Sequence, residues 1–351
     1  MVDHQAKVLS RREALSLAGS FAAVAAMPGV SRAADATPPL MWGNLLHLSM
    51  NMWADQPVKA WGNTKPEHLS YVAADKTKLR FDEALYRELV DRMVKAGMNL
   101  VVIDLGDAVV YESHPEIAVQ GAWSRAKLRE ELKRLRDVGL EPIPKMNFST
   151  AHDIWLGEYS RMVSTPTYYK VCGELIDEVI DLFDTPRFFH LGYDEETAGH
   201  QAKYQYVVVR QHEQWWNDFD FFVQRVQAKK VRPWIWSDYY WAHSEAFLKR
   251  MPKSVLQSNW YYGMKFDPAK EKRIKTYLDL AAAGYEQVPT GSNWSTAENF
   301  EATAKFCRAN LSAERLRGFL QTPWRPTVPE YRDHHLQAID VVGQAIRSAG
   351  S

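Results

Sequence analysis

The chain has few cysteines, no excess charge of either sign and no long apolar segment. Only two of its 351 residues are cysteines, and no set of Cys or His residues has the spacing of metal ligands. Its 43 basic residues balance 43 acidic ones, which disfavours nucleic acid or an anionic membrane as a partner. No segment reaches about 18 uninterrupted apolar residues. The sequence therefore predicts no membrane span in the mature chain, no metal and no other cofactor.

Residues 1–36 have the order of segments found in a twin-arginine export signal. Arg11 and Arg12 precede a modest apolar stretch from Ala14 to Met27, and small residues follow, with possible cleavage after Ala33 or Ala36. The alternative is an ordinary amphipathic N-terminal helix. We expect export in the folded state through the twin-arginine route, to the periplasm or out of the cell, and a folded domain over residues 40–351.

Short β-rich runs alternate with amphipathic helical stretches from residue 40 to the end. An open, doubly wound sheet is the alternative, but no glycine-rich phosphate-binding motif follows any strand. The sequence therefore predicts an α/β fold, a single (β/α)₈ TIM barrel. The predicted strands are Asn44–Asn51, Asn99–Asp104, Glu141–Met146, Phe188–Tyr193, Pro233–Ser237, Val255–Trp260, Glu286–Thr290 and Gly318–Thr322. The predicted helices are Phe81–Ala96, Arg125–Val138, Val171–Phe183, Asn217–Lys229, Ser244–Met251, Glu271–Ala283, Ala297–Asn310 and Tyr331–Ser348.

The two cysteines fall on different predicted helices. Cys172 lies on the third and Cys307 on the seventh, far apart on the outer ring of such a barrel. A disulfide needs Cα atoms within about 7 Å of each other. We therefore expect two buried free thiols.

The fourth predicted strand carries two acids at its C-terminal end. The apolar run that starts at Phe188 leads into Asp194 and Glu195. A (β/α)₈ barrel builds its active site from the loops at this end of the strands. Adjacent carboxylates repel each other, so burial and mutual charge should separate their pKa values and leave one able to hold a proton. The alternative is a solvated acidic turn that caps the next helix, a role that suits Glu196.

Aromatic residues follow several other strands. Core packing would explain one tryptophan at a strand end, but four at the same face of a barrel favour a lined pocket. Such a pocket would raise the pKa of whichever of the two carboxyl groups it desolvates more. Rings with a polar edge also stack on the faces of sugars. The residues are Trp236 with Asp238, Trp260 with Tyr261, Trp294 and Trp324.

The end of the fourth strand resembles a known signature. His190-Leu-Gly-Tyr-Asp-Glu195 matches the His-x-Gly-Gly-Asp-Glu motif of glycoside hydrolase family 20, the β-N-acetylhexosaminidases, except for the second glycine. Residues 99–107, 114–122 and 139–144 are similar to three further segments of that family, and the resemblance covers roughly residues 95–325. It implies a glycosidase that acts on a carbohydrate, a 2-acetamido sugar glycoside or oligosaccharide, and the export signal predicts that this enzyme is exported.

The resemblance also implies roles for individual residues. Glu195 would be the general acid, and Asp194 would orient the substrate's own 2-acetamido group, which attacks the anomeric carbon in a substrate-assisted, retaining reaction. His152 would hydrogen-bond to the acid, with Asp107 behind it, although a purely structural histidine explains His152 equally well. The implied substrate-binding residues are His190, Trp236, Asp238, Trp260, Tyr261, Trp294 and Trp324.

Two departures from the family pattern keep other functions open. No arginine follows the first strand, where His47, Asn51 and Trp53 stand, and Arg325 replaces the carboxylate that usually follows the tryptophan of the eighth strand. One alternative is a barrel that binds sugars without cleaving them. Another is a two-carboxylate retaining glycosidase in which Glu195 is the acid and Asp238 the nucleophile.

Overall fold

Eight parallel β-strands alternate with α-helices along residues 39–59 and 69–350, the part of the chain that the computed structural model describes. The strands are β1 (Met41–His47), β2 (Leu100–Asp104), β3 (Glu141–Lys145), β4 (Phe188–His190), β5 (Arg232–Trp236), β6 (Leu256–Ser258), β7 (Thr290–Gly291) and β8 (Gly318–Gln321). The helices are α1 (Leu69–Val72), α2 (Glu83–Lys95), α3 (Arg125–Asp137), α4 (Pro166–Leu182), α5 (His212–Ala228), α6 (Tyr239–Arg250), α7 (Lys272–Ala282), α8 (Asn299–Asn310) and α9 (Arg332–Gly350). The predicted export signal lies outside the described residues.

The strands form one sheet that closes on itself. Their order is β6-β5-β4-β3-β2-β1-β8-β7, and every pairing is parallel. Parallel bridges join Gln257 of β6 to Gln287, which precedes β7, and Trp260, which follows β6, to Thr290 of β7. The predicted single (β/α)₈ barrel is therefore confirmed.

Apolar side chains fill the interior of the barrel, and a second apolar layer separates the sheet from the helices. Alternate residues of one strand face opposite sides, so Leu45 packs inside while Leu46 packs against the helices. The interior set is Met41, Leu45, Leu100, Val102, Ile143, Phe188, Trp234, Trp236, Leu256, Val288, Leu320 and Trp324.

Four polar residues lie in one register layer across β1 to β4. His47 pairs with Asp104, Asp104 with Lys145, and Lys145 with His190. The Nζ atom of Lys145, which has no exposed surface, lies 2.5 Å from Oδ2 of Asp104, and Nδ1 of His47 lies 3.3 Å from the same oxygen. A buried ammonium group needs such a partner because desolvation without one costs several kcal/mol per ion, on the order of magnitude found for buried pairs. These four residues are the last residues of β1 to β4, so the layer adjoins the loops that carry the candidate site.

The element boundaries differ from prediction mainly at helix starts. Helix α4 begins at Pro166 rather than Val171, because Thr165 caps it by accepting a hydrogen bond from the Tyr168 N–H and proline suits the first turn. Helices α5 and α6 also begin five residues earlier than predicted, at His212 and Tyr239. Several strands are shorter than predicted, since ladder pairing ends where the loops begin.

Cys172 and Cys307 are both buried free thiols, on α4 and α8, as predicted. Burial raises the pKa of both thiols well above the usual value for cysteine. Among the helices of the described residues, none combines the length and the apolar character that crossing a bilayer requires.

Candidate active site

A cavity of about 550 Å³ opens at the C-terminal end of the barrel strands. Asp194, Glu195, His152 and His200 lie on its wall, and aromatic rings cover much of the remaining surface. The rings belong to Trp53, Trp236, Trp260, Tyr261, Tyr262, Trp294 and Trp324. The volume lies in the range of pockets that enclose small-molecule ligands, roughly 300–1,000 Å³. The structure therefore brings the two adjacent acids and the four predicted tryptophans together around one cavity.

Asp194 is held by the end of the neighbouring strand β3. Its Oδ1 atom accepts a hydrogen bond of 2.9 Å from Nδ2 of Asn147, and its backbone carbonyl accepts one from the Ser149 hydroxyl. The residue is 6% exposed, yet it contributes to the cavity wall. Asp194 is thus a buried carboxyl group with a fixed orientation and one side open to the cavity.

Glu195 points to the same cavity from a strained backbone. Its φ angle is +54°, and Tyr193, which stands where the family motif has its second glycine, has a φ angle of +74°. Left-handed conformations of residues other than glycine are uncommon and concentrate at functional sites. The backbone N–H of Glu195 donates a 2.9 Å hydrogen bond to Oδ2 of Asp238, which anchors the turn.

His152 lies between the two acids. Its Nδ1 atom is 3.6 Å from Oδ1 of Asp194, and its Nε2 atom is 3.5 Å from Oε2 of Glu195. One donor atom from each of the three residues falls within 4.8 Å of the others, a spacing that a cation could bridge. However, the two ring nitrogens face different carboxylates, so the three groups form a chain rather than converge on one point. We interpret the chain as a proton-handling arrangement and assign no metal ligands.

A second histidine, not anticipated from the sequence, contacts the acid. The Nε2 atom of His200 lies 3.3 Å from Oε1 of Glu195. Burial by itself would raise the pKa of Glu195, but the hydrogen bond and charge of His200, with a contribution from His152, lower it below the usual value. The hydrogen bond to Glu195 in turn raises the pKa of His200. The Glu195 carboxyl group is therefore ionised near neutral pH, and its carboxylate favours the charged form of the His200 imidazole.

Burial has the larger effect on two other groups beside the acids. It lowers the pKa of His152 in spite of the nearby charges of Asp194 and Glu195. It also raises the pKa of Asp238 well above the usual value, and the Asp194 charge adds to that increase. Asp238 lies behind the Glu195 backbone and is not among the residues that line the cavity.

Asp107 is not hydrogen-bonded to His152 in the described part of the chain. Its carboxylate accepts hydrogen bonds from Ser49 (2.5 Å), Asn51 (3.0 Å) and Lys76 (2.5 Å). Asp107 is fully buried, so these donors compensate for its desolvation. The chain of groups that the resemblance implied, from Asp107 through His152 to Glu195, is thus interrupted at its first link.

The other predicted ligand-binding residues divide into two groups. One group lines the cavity: Trp236, Trp260, Tyr261, Trp294 and Trp324. His190 is fully buried instead, between the rings of Trp234 and Trp236, and its Nδ1 atom accepts a 3.0 Å hydrogen bond from the Gly192 N–H. His190 therefore supports the turn that carries the acids and does not line the cavity.

Glu196 is not the solvated turn residue that its sequence context suggested. Its carboxylate makes a bidentate ion pair with the guanidinium of Arg210, with hydrogen bonds of 2.7 Å and 2.6 Å, and both side chains are almost completely buried. Arg210 also donates to the Phe148 carbonyl at 2.7 Å. A bidentate buried pair is geometrically specific, and it ties the loop after Glu195 to the end of β3.

Several cavity residues were missed because they lie in loops, where periodicity carries no signal. Trp53 follows β1, and its ring lies 6.4 Å from that of Trp294 and 6.3 Å from that of Trp324. Tyr262 accepts a 2.9 Å hydrogen bond from Nε1 of Trp324. The aromatic run Trp260-Tyr261-Tyr262 was the sequence signal that pointed to Tyr262.

The two departures from the family pattern are also explained by packing. Arg325 places its guanidinium over the ring of Trp294, 4.4 Å from the ring centre, and does not line the cavity. At the end of β1, His47 faces Asp104, and Asn51 bonds to Asp107 and to Arg80. Neither position presents a charged group to a sugar hydroxyl.

Solved structures of β-N-acetylhexosaminidases have a similar fold. The chain aligns with the chitobiase of Flavobacterium johnsoniae at 18% identity and a TM-score of 0.56, over 75% of this chain and 46% of that one. A variant of the Streptomyces plicatus β-hexosaminidase in complex with the product GlcNAc aligns at 13% identity and a TM-score of 0.57, over 87% and 64% of the two chains. A family 20 exo-β-N-acetylglucosaminidase from Vibrio harveyi in complex with N-acetylglucosamine aligns at 12% identity and a TM-score of 0.56, over 86% and 54%.

These likenesses concern the fold. The chain spans 46% to 64% of the length of these three proteins, and identities of 12% to 18% establish a common barrel architecture rather than a common substrate. No protein-family model matches the sequence. No curated protein matches it either.

Proposed function

We propose that the protein is a glycoside hydrolase of the β-N-acetylhexosaminidase type that cleaves a 2-acetamido sugar glycoside with retention of configuration. The observation that carries this proposal is the placement of Asp194 and Glu195, with His152 between them, on the wall of a cavity lined by tryptophans. Aromatic faces suit the apolar faces of a pyranose ring, and the two carboxyl groups supply a proton donor and an anion.

The adjacency of the acids suits a substrate-assisted reaction. Glu195 gives its proton to the glycosidic oxygen while the acetamido oxygen attacks the anomeric carbon, so the bond to the leaving group breaks and an oxazolinium ion forms. The Asp194 carboxylate stabilises the positive charge on the acetamido nitrogen. Water then attacks the anomeric carbon, Glu195 takes its proton, and the acetamido group is released. Asn147 directs the Asp194 carboxylate, which supports its role as the fixed anion.

A second candidate function is sugar binding without cleavage. In the described cavity lining, no charged group at the end of β1 or beside Trp324 is placed to bind sugar hydroxyls, and this favours the binding-only function. The two-carboxylate glycosidase is less well supported, because a nucleophile must reach the anomeric carbon and the Asp238 carboxylate lies behind the Glu195 backbone.

The test compares wild type with Glu195→Gln on aryl N-acetyl-β-hexosaminides that differ in leaving-group pKa. We expect loss of about 10²–10⁴-fold in kcat on a poor leaving group and a smaller loss on an activated aryl group, which needs less protonation. Binding of an acetamido-thiazoline should survive in Glu195→Gln and weaken in Asp194→Asn. Glu301→Gln, an exposed site on α8, is the matched control. Thiazoline binding without turnover by wild type would favour the binding-only function, and an unchanged rate in Glu195→Gln would eliminate Glu195 as the acid.

We also propose export through the twin-arginine route, on the sequence pattern of residues 1–36 alone. Replacing Arg11 and Arg12 by lysine should retain the folded protein in the cytoplasm. Cell fractionation with a folded-state activity or antibody assay measures this directly. Periplasmic accumulation of the double variant would contradict the proposal.

A further inference from the structure

His200 is the one histidine in the described cavity wall that directly contacts Glu195 and is substantially exposed to solvent. We propose that His200 is a positioning residue that stores the proton of Glu195 and returns it between the two halves of the reaction. This inference rests on the proposed function and names a residue that the family resemblance did not include.

The geometry of His200 suits an exchange of one proton. Nε2 lies 3.3 Å from Oε1 of Glu195, while Nδ1 lies 2.8 Å from the hydroxyl of Thr197, which fixes the plane of the ring. The side chain is 45% exposed, so it equilibrates with bulk solvent. The His152 side chain is only 5% exposed, and its Nδ1 atom lacks a hydrogen-bond partner in the described residues.

Asp107, which follows β2, does not act on Glu195 through His152. Asp107 is occupied by Ser49, Asn51 and Lys76, so it cannot polarise His152 through a direct hydrogen bond. Instead, His200, in the loop after Glu195, contacts Oε1 of the Glu195 carboxylate, whereas His152 lies near Oε2. Because the Glu196–Arg210 ion pair anchors this loop, the position of His200 is supported by the fold.

The charged and titratable groups that face His200 favour its protonated form. The Glu195 carboxylate has the largest effect on its pKa, which is raised, and the charges of Asp194 and Asp238 act in the same direction. Burial lowers the pKa of His152, and the nearby charge of His200 lowers it further. His152 therefore disfavours a second positive charge beside His200. At a pH between the pKa values of the two groups, the pair therefore holds one proton, mainly on His200, next to an ionised Glu195.

The proposed cycle conserves that proton. When a substrate excludes water from the cavity, the proton moves from Nε2 to Oε1, because a neutral pair is favoured over an ion pair in an apolar environment. Glu195 then passes it to the glycosidic oxygen as the bond to the anomeric carbon breaks. In the second half, the proton that Glu195 removes from water returns to Nε2 of His200. No oxidant, reductant or further reactant takes part.

Two measurements test this inference with His200→Gln as the main variant. In wild type the alkaline limb of the kcat/KM profile should lie above about 6.5, the ordinary value for histidine. In His200→Gln it should move down by about one pH unit or more, towards the range of a carboxylic acid, so that the ratio of the wild-type rate to the variant rate grows with pH. His243→Gln, on α6 and outside the cavity, is the control and should leave the profile unchanged.

The second measurement does not depend on turnover. Histidine NMR titration of the full chain should show a raised pKa for His200 in wild type and a fall of about one unit or more in Glu195→Gln. If wild type has no activity on any aryl hexosaminide, the proposed function fails, and the titration still decides whether the pair exists. An unchanged His200 titration in Glu195→Gln, or an alkaline limb that does not move in His200→Gln, would overturn the inference.

Discussion

Asn147 donates a 2.9 Å hydrogen bond from its side-chain nitrogen to Asp194, and its side-chain oxygen accepts hydrogen bonds from two backbone N–H groups, those of Ser149 (3.0 Å) and Tyr193 (3.2 Å). One buried amide thus joins the end of β3 to the turn after β4. It orients the carboxylate proposed to face the acetamido group and satisfies the backbone of both turns.

Replacing Asn147 by alanine should damage both stability and ligand binding. Two buried backbone donors would lose their acceptor, at roughly 1–3 kcal/mol each, and Asp194 would lose its directing bond. We expect a fall of about 2–4 kcal/mol in the free energy of unfolding and at least about tenfold weaker thiazoline binding. Urea denaturation and calorimetry measure the two. Asn310→Ala is the control, since Asn310 makes one exposed bond to the Phe306 carbonyl and should change stability by less than about 1 kcal/mol.

Gly192 should not tolerate a side chain. Its φ angle is +68°, and a Cβ atom there would lie 2.1 Å from the side-chain oxygen of Asn147. Gly192→Ala should therefore be destabilised by more than about 3 kcal/mol, combining backbone strain with displacement of Asn147. Gly139→Ala is the matched control. Its φ angle is +84°, but a Cβ atom would meet nothing within 4 Å, so only the backbone cost of about 1–2 kcal/mol should appear. Equal losses in the two variants would refute the steric explanation.

The buried ion pair of Asp104 and Lys145 should make stability depend on pH under acidic conditions. Burial by itself would raise the pKa of Asp104, but the Lys145 charge and the His47 hydrogen bond lower it to about 2, from 3.8. A lowered pKa in the folded state gives stability that is present above pH 3.8 and is lost as the pH falls towards 2. The loss should be about 2 kcal/mol.

Unfolding free energies at pH 5, 4, 3 and 2 measure that contribution. Lys145→Met should cost about 3–5 kcal/mol at pH 5, because the Asp104 charge loses its partner, and should flatten the acidic slope. Asp340→Asn removes an exposed pair with Arg92 and serves as the control, with an expected change below about 1 kcal/mol. A slope that Lys145→Met leaves unchanged would assign the acid sensitivity to other carboxylates.

The two cysteines should be inert in the folded protein. Both thiols are buried and their pKa values are raised, so the reactive thiolate is scarce. Ellman's reagent should detect no thiol in the native state and two in guanidinium chloride. Under non-reducing conditions the intact mass should equal that of the dithiol form. A mass lower by two hydrogens would show a disulfide.

The sequence by itself determined the barrel and the general location of the site. The apolar strand runs and the helical periodicity specified eight βα units, because one-sided burial imposes a period on each element. Since parallel strands present their C-terminal ends to one face, the same reasoning predicted that Asp194, Glu195 and the four tryptophans would meet there. The adjacency of the two acids needed no tertiary information.

Only the tertiary structure decided which groups act on those acids. His200 and Trp53 lie in loops without periodicity. No local pattern in the sequence indicates that the Asp107 carboxylate binds Lys76 instead of His152. Likewise, Glu196 stands in a sequence context typical of a solvated turn. It is buried because Arg210, fourteen residues later, forms an ion pair with it. Pairing energies of this kind depend on distance and desolvation in three dimensions, and neither quantity is encoded in local pattern.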